Sequence, residues 1–206
     1  MLHYPTSQLT SKQAYKFLSG SIIPRPIAWV TTLNQEHGTI NAAPFSFFNA
    51  VASDIPLVTL AVLRRAGSIK DTARNILATN ELVIHLVDDQ VVESMNKTAA
   101  SLKPEQSEIT INEIETTASK SVTVPGITAA PIRMEARLHQ YVPIKNHEEQ
   151  IITDLFILEI TDFHFAEAVF DKENEYILPE EFKPVARLAG NTYSHIAGLF
   201  DLKRPD

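Results

Sequence analysis

Residues 64–72, which read Arg-Arg-Ala-Gly-Ser-Ile-Lys-Asp-Thr, bring two arginines, one lysine and two hydroxyl side chains into nine positions. The segment follows an apolar run and opens a predicted helix, whose first N–H groups lack intrahelical partners and carry partial positive charge. Cations, hydroxyls and free N–H groups at one helix start favour a phosphate or another anion. The alternative is a solvated basic turn with an ordinary helix cap. Composition alone favours that alternative, because no spacing here matches a P-loop.

Two further segments have side chains suited to ligand binding. Residues 41–49 read Asn-Ala-Ala-Pro-Phe-Ser-Phe-Phe-Asn, so small residues and a proline leave backbone groups open to a planar ligand beside an apolar wall. On this segment alone, a barrel corner with core aromatic residues is the favoured alternative. Residues 24–30 place the only tryptophan, Trp29, beside a rigid Pro-Arg-Pro bend. A core tryptophan is the alternative there.

Several kinds of catalysis are disfavoured by residue type. The chain has no cysteine, which excludes disulfides, Cys-ligated zinc, iron–sulfur clusters and thiol catalysis, so electron transfer would require a bound cofactor. The seven histidines follow no metal-ligand spacing, and no Gly-x-Ser-x-Gly sequence supports acyl transfer. His164 stands between Phe163 and Phe165, where packing rather than catalysis is expected.

Periodicity and turn residues predict the elements that position these candidates. Helices are predicted at 10–19, capped by Thr10 or Ser11, at 68–80, capped by Ser68 or Asp71, and at 91–100. Strands are predicted at 27–33, 39–51, 56–63, 81–87, 132–144 and 151–165. The strand at 56–63 is apolar throughout and is expected to be buried on both faces. Residues 101–121 are polar and weakly patterned, which predicts a surface loop.

Six or seven strands with short inserted helices predict a mainly β fold, an antiparallel barrel rather than alternating β-α units. The absence of Gly-x-Gly-x-x-Gly argues against a Rossmann fold. The 206 residues suffice for one domain, 1–206, and contain no evident linker. A net charge of −7 without a basic block disfavours a nucleic-acid partner. The chain begins without a signal peptide and has no membrane-length apolar run, so a cytoplasmic protein without membrane association is expected.

Five segments match a known family in order: IIPRPIAWVTTL at 22–33, GTINAAPFSFFNAVASDIPLVTLAV at 38–62, KDTARNILATNELVIHLV at 70–87, ESMNKTA at 93–99 and RLAGNTYSHI at 187–196. In combination, they resemble the flavin reductase-like family. The resemblance extends over nearly the whole chain, from 13 to 205. It implies an FMN-binding split β-barrel of Greek-key type with short peripheral helices. Such proteins are normally homodimers with the flavin at or near the subunit interface.

The resemblance also implies which residues contact FMN. The isoalloxazine and ribityl chain would lie along the strand at 41–48, with Asn41, Ala43, Pro44, Ser46 and Phe47 as contacts. Lys70 and Thr72 match the family's phosphate-binding positions, and Ser68 and Asp71 are their neighbours. Trp29 would lie on a strand close to the flavin.

The implied activity is an NAD(P)H:flavin oxidoreductase, in which hydride passes from the nicotinamide to the flavin without a side-chain acid or base. Reduced FMN or its electrons would then reach a partner monooxygenase or an electron-acceptor protein. One alternative is an FMN-carrying electron-transfer protein that has no nicotinamide site. The chain lacks the Gly-x-His motif with which some relatives contact nicotinamide. A second alternative is a barrel that binds a ligand without redox chemistry.

Overall fold

Antiparallel strands are the main secondary structure of the protein, and its computed structural model describes residues 1–196 and 198–205. The strands are β1 Ala28–Asn34, β2 Thr39–Phe45, β3 Phe48–Ala52, β4 Leu57–Leu63, β5 Glu81–Leu86, β6 Thr116–Thr117, β7 Gly126–Ile127, β8 Ile132–Lys145, β9 Ile151–Phe165, β10 Phe170–Asp171, β11 Tyr176–Ile177, β12 Val185–Arg187 and β13 Tyr193–His195. Seven of them form one sheet in the order β2-β1-β5-β8-β9-β4-β3, and the rest pair two by two.

Short helices lie around this sheet. The α-helices are α1 Ser11–Ser21, α2 Asp71–Thr79, α3 Val92–Lys97, α4 Glu108–Ile111 and α5 Pro179–Phe182, with 3-10 turns at Thr6–Gln8 and Glu167–Val169. Thr10 caps α1 through a reciprocal pair of hydrogen bonds with Gln13, which confirms one of its two predicted caps. The helix predicted at 91–100 is shorter, because the Thr98 hydroxyl donates to the Met95 carbonyl just beyond its end. Within the described residues, no helix is long and apolar enough to cross a membrane.

The sheet curls because its two edge strands are neighbours in the chain. Only Ser46 and Phe47 separate β2 from β3, although these strands occupy opposite edges. The Phe47 carbonyl accepts from Ala61 N at 2.9 Å, which joins this connection to β4. Phe45 from one edge and Leu60 from near the other belong to one buried apolar cluster. The predicted mainly β, antiparallel barrel with peripheral helices is confirmed.

The single strand predicted at 39–51 is wrong, because the chain leaves the sheet at Ser46 and re-enters it at Phe48. Pro44 belongs to β2, where it lies opposite Trp29 of β1. Since β2 has only one neighbour in the sheet, a residue without an N–H group is tolerated there. Residues 41–45 therefore present backbone that no further strand covers.

The burial expected for 56–63 on both faces is also wrong. Val58, Leu60 and Val62 are fully or nearly fully buried, whereas the alternating residues of β4 are only half-buried. An antiparallel strand with one face on the core shows this alternation even when its outward residues are apolar. The core thus lies on one side of β4.

Residues 101–121 form the predicted surface loop only in part. They contain α4, whose first residues Glu108 and Ile109 are buried with the preceding Ser107. The Ser107 hydroxyl caps α4 and donates to the carbonyl of Ile40, next to the candidate strand. This segment therefore forms part of the wall beside β2.

Candidate functional site

Two adjoining cavities lie on either side of the end of β2. The smaller, of about 350 Å³, is lined by residues of β2, of the α2 start and of the 98–102 and α4 segments. The larger, of about 550 Å³, is lined by residues of α1, α3 and the β12–β13 hairpin. Both walls include Pro44, Phe45 and Ala99, so the cavities share a boundary.

The smaller cavity has an unpaired cationic end. Arg65 and Lys70 line it, and neither forms an ion pair with any residue in the described ranges. The Lys70 ammonium lies 5.5 Å from the centre of the Phe45 ring. Burial of this ammonium, together with the nearby Arg65 charge, lowers the pKa of Lys70. Two cations that repel each other and lack a counter-ion favour the binding of an anion.

The start of α2 points toward the same end. Lys70 is the N-cap and makes no side-chain capping bond, so the predicted caps Ser68 and Asp71 are both wrong. Ser68 instead forms a tight turn with Arg65, through backbone bonds of 3.0 and 3.3 Å. The Asp71 carboxylate accepts from Arg74 rather than from the helix backbone. The first N–H groups of α2 are therefore available to a ligand.

A buried polar network joins α2 to β2. The Thr72 hydroxyl donates to Asn41 Oδ1 at 2.8 Å, and the Thr32 hydroxyl approaches the same oxygen at 3.3 Å. Asn41 Nδ2 donates to Glu108 Oε2 at 3.0 Å, and Ala42 N donates to that same oxygen at 3.0 Å. A carboxylate only accepts, so it fixes which end of the Asn41 amide faces it. Thr72 accordingly directs its one hydroxyl hydrogen to Asn41 and not into the cavity.

Glu108 is the site residue that the sequence did not indicate. It lines the smaller cavity although it is only 5% exposed. Burial, together with the nearby Asp71 charge, raises the pKa of Glu108, while its bonds from Ala42 and Asn41 act in the opposite direction. Its partners are 66 and 67 residues away in the chain, and no local pattern encodes contacts over such a separation. The only nearby signal was the Ser-Glu pair that begins α4.

The larger cavity contains polar groups without acids or bases. Ser46, Asn96, Asn191 and Arg187 contribute to its wall, and in the described chain that wall includes no carboxylate or imidazole. The Arg187 guanidinium lies 4.4 Å from the centre of the Tyr193 ring, which fixes the cation beside the cavity. The arrangement suits binding of a polar, planar ligand rather than side-chain proton transfer.

Arg25 is not in the wall of this cavity but is bonded to segments that form it. Its buried guanidinium donates to the carbonyls of Ser19, Ile22 and Leu188, and its Nε donates to Ser46 Oγ at 3.3 Å. These bonds connect the end of α1, the segment after β12 and the β2–β3 connection. The candidate segment at 24–30 thus contributes through its arginine.

Three sequence-predicted site residues lie outside both cavity walls. Trp29 is fully buried and donates through Nε1 to Thr98 Oγ1 at 2.9 Å, so a direct flavin contact is not supported by its position. Trp29 lies on β1, the strand next to the edge strand β2, whereas its partner Thr98 lines the smaller cavity. Phe47 is half-buried beneath the Arg25 guanidinium at 5.9 Å, and Ser68 is exposed in its turn. The other seven, Asn41, Ala43, Pro44, Ser46, Lys70, Asp71 and Thr72, line one cavity or both.

The two best-connected histidines serve structural contacts. His164 Nε2 lies 2.7 Å from the buried Glu135 carboxylate, away from both cavities, in agreement with the packing expected for it. His85 is fully buried, with Nδ1 2.7 Å from the Trp29 carbonyl and Nε2 accepting from Ile127 N at 2.8 Å. Burial lowers the pKa of His85 to about 3, so the ring is neutral.

Comparison with known proteins decides the family. The family model described as "Flavin reductase like domain" matches residues 19–182. The chain belongs to this flavin reductase-like family. The resemblance found in the sequence is therefore confirmed, and the chain is a flavoprotein and oxidoreductase of the split-barrel type.

Three similar proteins cover almost all of this family member. The uncharacterized protein YwrF of Bacillus subtilis (strain 168) is 46% identical over 205 residues, which is 100% of each chain. Nitrilotriacetate monooxygenase component B from Bacillus cereus is 41% identical, with a TM-score of 0.94 and 98% of each chain covered. The 2-nitrobenzoate 2-nitroreductase NbaA of Pseudomonas fluorescens is 33% identical, with a TM-score of 0.88 and coverage of 99% of this chain and 96% of that one.

Proposed function

We propose that this protein is an NAD(P)H-dependent FMN reductase that supplies reduced flavin or electrons to a partner monooxygenase. The observation that carries the proposal is the pair of unpaired cations, Arg65 and Lys70, beside the uncapped start of α2 in the cavity that β2 lines. A flavin mononucleotide has one anionic end and one planar end. The smaller of the two adjoining cavities offers two cations at one end, and the larger offers uncharged polar groups and Arg187, in the same order along β2.

The residues present fit this cofactor. Lys70, Arg65 and the first N–H groups of α2 would hold the phosphate, with Thr72, Asp71 and Ser68 as neighbours. Asn41, Ala43 and Pro44 would lie along the ribityl chain and ring, with Ser46 and Phe47 beyond them. Trp29 would act indirectly, by holding Thr98 at the cavity wall.

When bound, FMN accepts a hydride from a nicotinamide and releases its electrons to a second acceptor. The wall of the larger cavity suits this chemistry, because Ser46, Asn96 and Asn191 can orient rings by hydrogen bonds. Arg187 would attract the anionic parts of the nucleotide or the negative charge of a reduced flavin. Hydride transfer requires no proton donor at that position.

The assembly is proposed to be a homodimer in the cytoplasm, with residues 1–206 as one domain. Helix α1 and the two residues that follow it expose a group of large apolar side chains: Tyr15, Phe17, Leu18, Ile22 and Ile23. Such a patch is typical of a protein interface. Tyr15 also lines the larger cavity, so a second copy on α1 would complete its rim.

The visible spectrum of the purified protein tests this function. Added FMN should bind with a changed absorbance, and NADH or NADPH under anaerobic conditions should then bleach the flavin band. A protein that binds FMN but is bleached only by a reduced partner protein would instead be the FMN-carrying electron-transfer protein. The missing Gly-x-His motif is the observation that keeps this second function open. Protein that ignores FMN would contradict both.

A further inference from the structure

Glu108 has one carboxylate oxygen fully engaged and one without a partner. Oε2 accepts from Asn41 Nδ2 and from Ala42 N. Oε1 accepts from no other residue in the described ranges, although the side chain is nine-tenths buried. Oε1 is not sealed from solvent, since the buried side-chain atom without a partner in the described residues is Asp162 Oδ2. An acceptor that opens onto a cavity and has no donor from another residue is available to a hydrogen-bond donor of a ligand.

The free oxygen belongs to the wall of the smaller cavity. Glu108 lines that cavity together with Lys70 and Arg65, and Oε2 is held on the side of Asn41 and Ala42. The remaining acceptor capacity of the carboxylate is therefore directed toward the cavity. The cavity has cations at one end and an acceptor-only group on its wall.

The donor that fits this oxygen is a neutral hydroxyl group. A cationic ligand would be repelled by Arg65 and Lys70 in the same cavity, and a second phosphate would be repelled by Glu108 and Asp71. The described residues hold no cluster of three or more side chains suited to a metal ion. A hydroxyl donates one hydrogen and adds no charge. It can therefore bond to Oε1 without being repelled by the two cations or by the two carboxylates.

We propose that Glu108 accepts hydrogen bonds from hydroxyl groups of the ligand, so that the smaller cavity selects a phosphorylated polyhydroxy chain. The inference rests on the proposed function, in which the ribityl phosphate of FMN is that chain. Its anionic end lies at Arg65, Lys70 and α2, and its hydroxyls face Glu108. Glu108 is then a specificity-determining residue for the sugar-like part of the cofactor.

A matched series of flavins tests the contact between Glu108 and the ligand's hydroxyl groups separately from the contacts to the phosphate and to the ring. FMN, riboflavin and lumiflavin differ by the phosphate and then by the whole hydroxylated chain. Titrations followed by flavin fluorescence give the affinity of each for wild-type protein, for Glu108→Gln and for Glu105→Gln. Glu105 is exposed, lies three residues earlier and is absent from the cavity wall, so it serves as the control.

The glutamine variant changes the group that faces the cavity. Its amide oxygen is retained by Ala42 N–H, which places the NH₂ group where Oε1 was. We expect riboflavin and FMN to bind about ten- to a hundredfold more weakly, as for loss of a hydrogen bond to a charged group. Lumiflavin, which has no hydroxyls, should bind unchanged, and Glu105→Gln should bind all three as wild type does.

Three results would overturn the inference. Riboflavin affinity that is unaffected by Glu108→Gln would show that no hydroxyl uses this oxygen. Equal weakening of lumiflavin would assign Glu108 to cavity shape alone. The third result comes from wild-type protein and does not depend on the variant's folding. A flavin with a hydroxyl-free chain of the same length should bind at least tenfold more weakly than riboflavin. Equal binding of the two flavins would contradict the proposal. Wild-type protein that binds none of these flavins would instead refute the proposed function itself.

Discussion

Single residues around the smaller cavity fall into two groups, those free to contact a ligand and those already bonded within the protein. Lys70 and Arg65 have no partner in the described residues, whereas the Thr72 hydroxyl is directed to Asn41. The sequence placed Lys70 and Thr72 together at a phosphate site. The structure separates them, since only Lys70 has its donors free.

Lys70→Ala should weaken FMN more than riboflavin, because only FMN carries the phosphate. A charge-assisted hydrogen bond of this kind contributes roughly 1.5–3 kcal/mol, or about a ten- to hundredfold difference in affinity. The control is Arg74→Ala, which removes an equal charge from α2 at a side chain that is paired with Asp71 and absent from the cavity wall. Equal weakening of both ligands by Lys70→Ala would remove this residue from the phosphate site.

Thr72→Val should behave differently. It removes the donor to Asn41 Oδ1, so Asn41 loses part of its orientation whichever flavin is bound. We expect FMN and riboflavin to weaken by similar factors, and the free energy of unfolding to fall by about 1 kcal/mol. Thr72→Ser keeps the hydroxyl and should restore both. A selective loss of FMN would mean that the Thr72 hydroxyl turns toward the phosphate when the ligand binds.

At the scale of elements, β1 and β5 are held to the β7 segment by one neutral ring. His85 of β5 accepts from Ile127 N through Nε2, so its Nδ1–H donates to the Trp29 carbonyl on β1. Because both ring nitrogens are used in these two opposite roles, protonation would force one bond to break. The pKa of His85, lowered to about 3, reflects this arrangement together with its burial.

The free energy of unfolding should therefore decrease as the pH decreases. In the unfolded chain this histidine has a pKa of 6.5, and in the folded chain its pKa is about 3. Between these two values the unfolded chain binds the proton more tightly, so the folded state loses stability as the pH decreases. The loss is up to about 1.4 kcal/mol per pH unit. His85→Gln should be less stable at pH 7 but should show a shallower dependence on pH in urea unfolding. Exposed His147→Gln is the control and should follow wild type. Identical slopes for His85→Gln and wild type would contradict the buried neutral ring.

Elements were predictable from the sequence where the pattern is local. The apolar and β-branched runs that became β1, β4, β5, β8 and β9 have the composition of strands, and all five were found. The split between β2 and β3 was missed, because Ser46 and Phe47 carry no turn signal. What ends the strand there is contact with the distant Arg25 and Ala61.

The site was predictable to the same extent. Lys70, Thr72 and Asn41 could be found because they belong to segments shared with a family. Glu108 and Arg187 could not be placed, since only the folded chain brings α4 and the β12–β13 hairpin against β2. Trp29 was placed near the flavin by its sequence neighbours, but its side chain is completely buried.

The whole molecule carries an apolar surface that a single chain leaves uncovered. Phe17 and Leu18 of α1 are 42% and 57% exposed. Ile22, just after α1, is 60% exposed, and Tyr15 of the same patch lines the larger cavity. A second copy that covers this patch would explain why α1 keeps an amphipathic sequence.

Light scattering should show a particle of twice the 23.0 kDa chain mass at low micromolar concentration. Leu18→Glu places a charge in the patch and should yield a particle of 23.0 kDa, whereas Lys12→Glu on the exposed side of α1 should leave the dimer intact. A 23.0 kDa particle for wild-type protein across that range would refute the dimer.

The order of strands in the main sheet also determines how the chain is exposed during its synthesis. The β1–β2 and β3–β4 hairpins emerge early, but the partner of β4 is β9, which begins only at Ile151. At ribosomal rates of about 5–20 residues per second, the edge of β4 remains unpaired for on the order of ten seconds. An open apolar strand edge is a template for aggregation. The yield of soluble protein therefore depends on how quickly the β8–β9 hairpin leaves the ribosome and closes that edge.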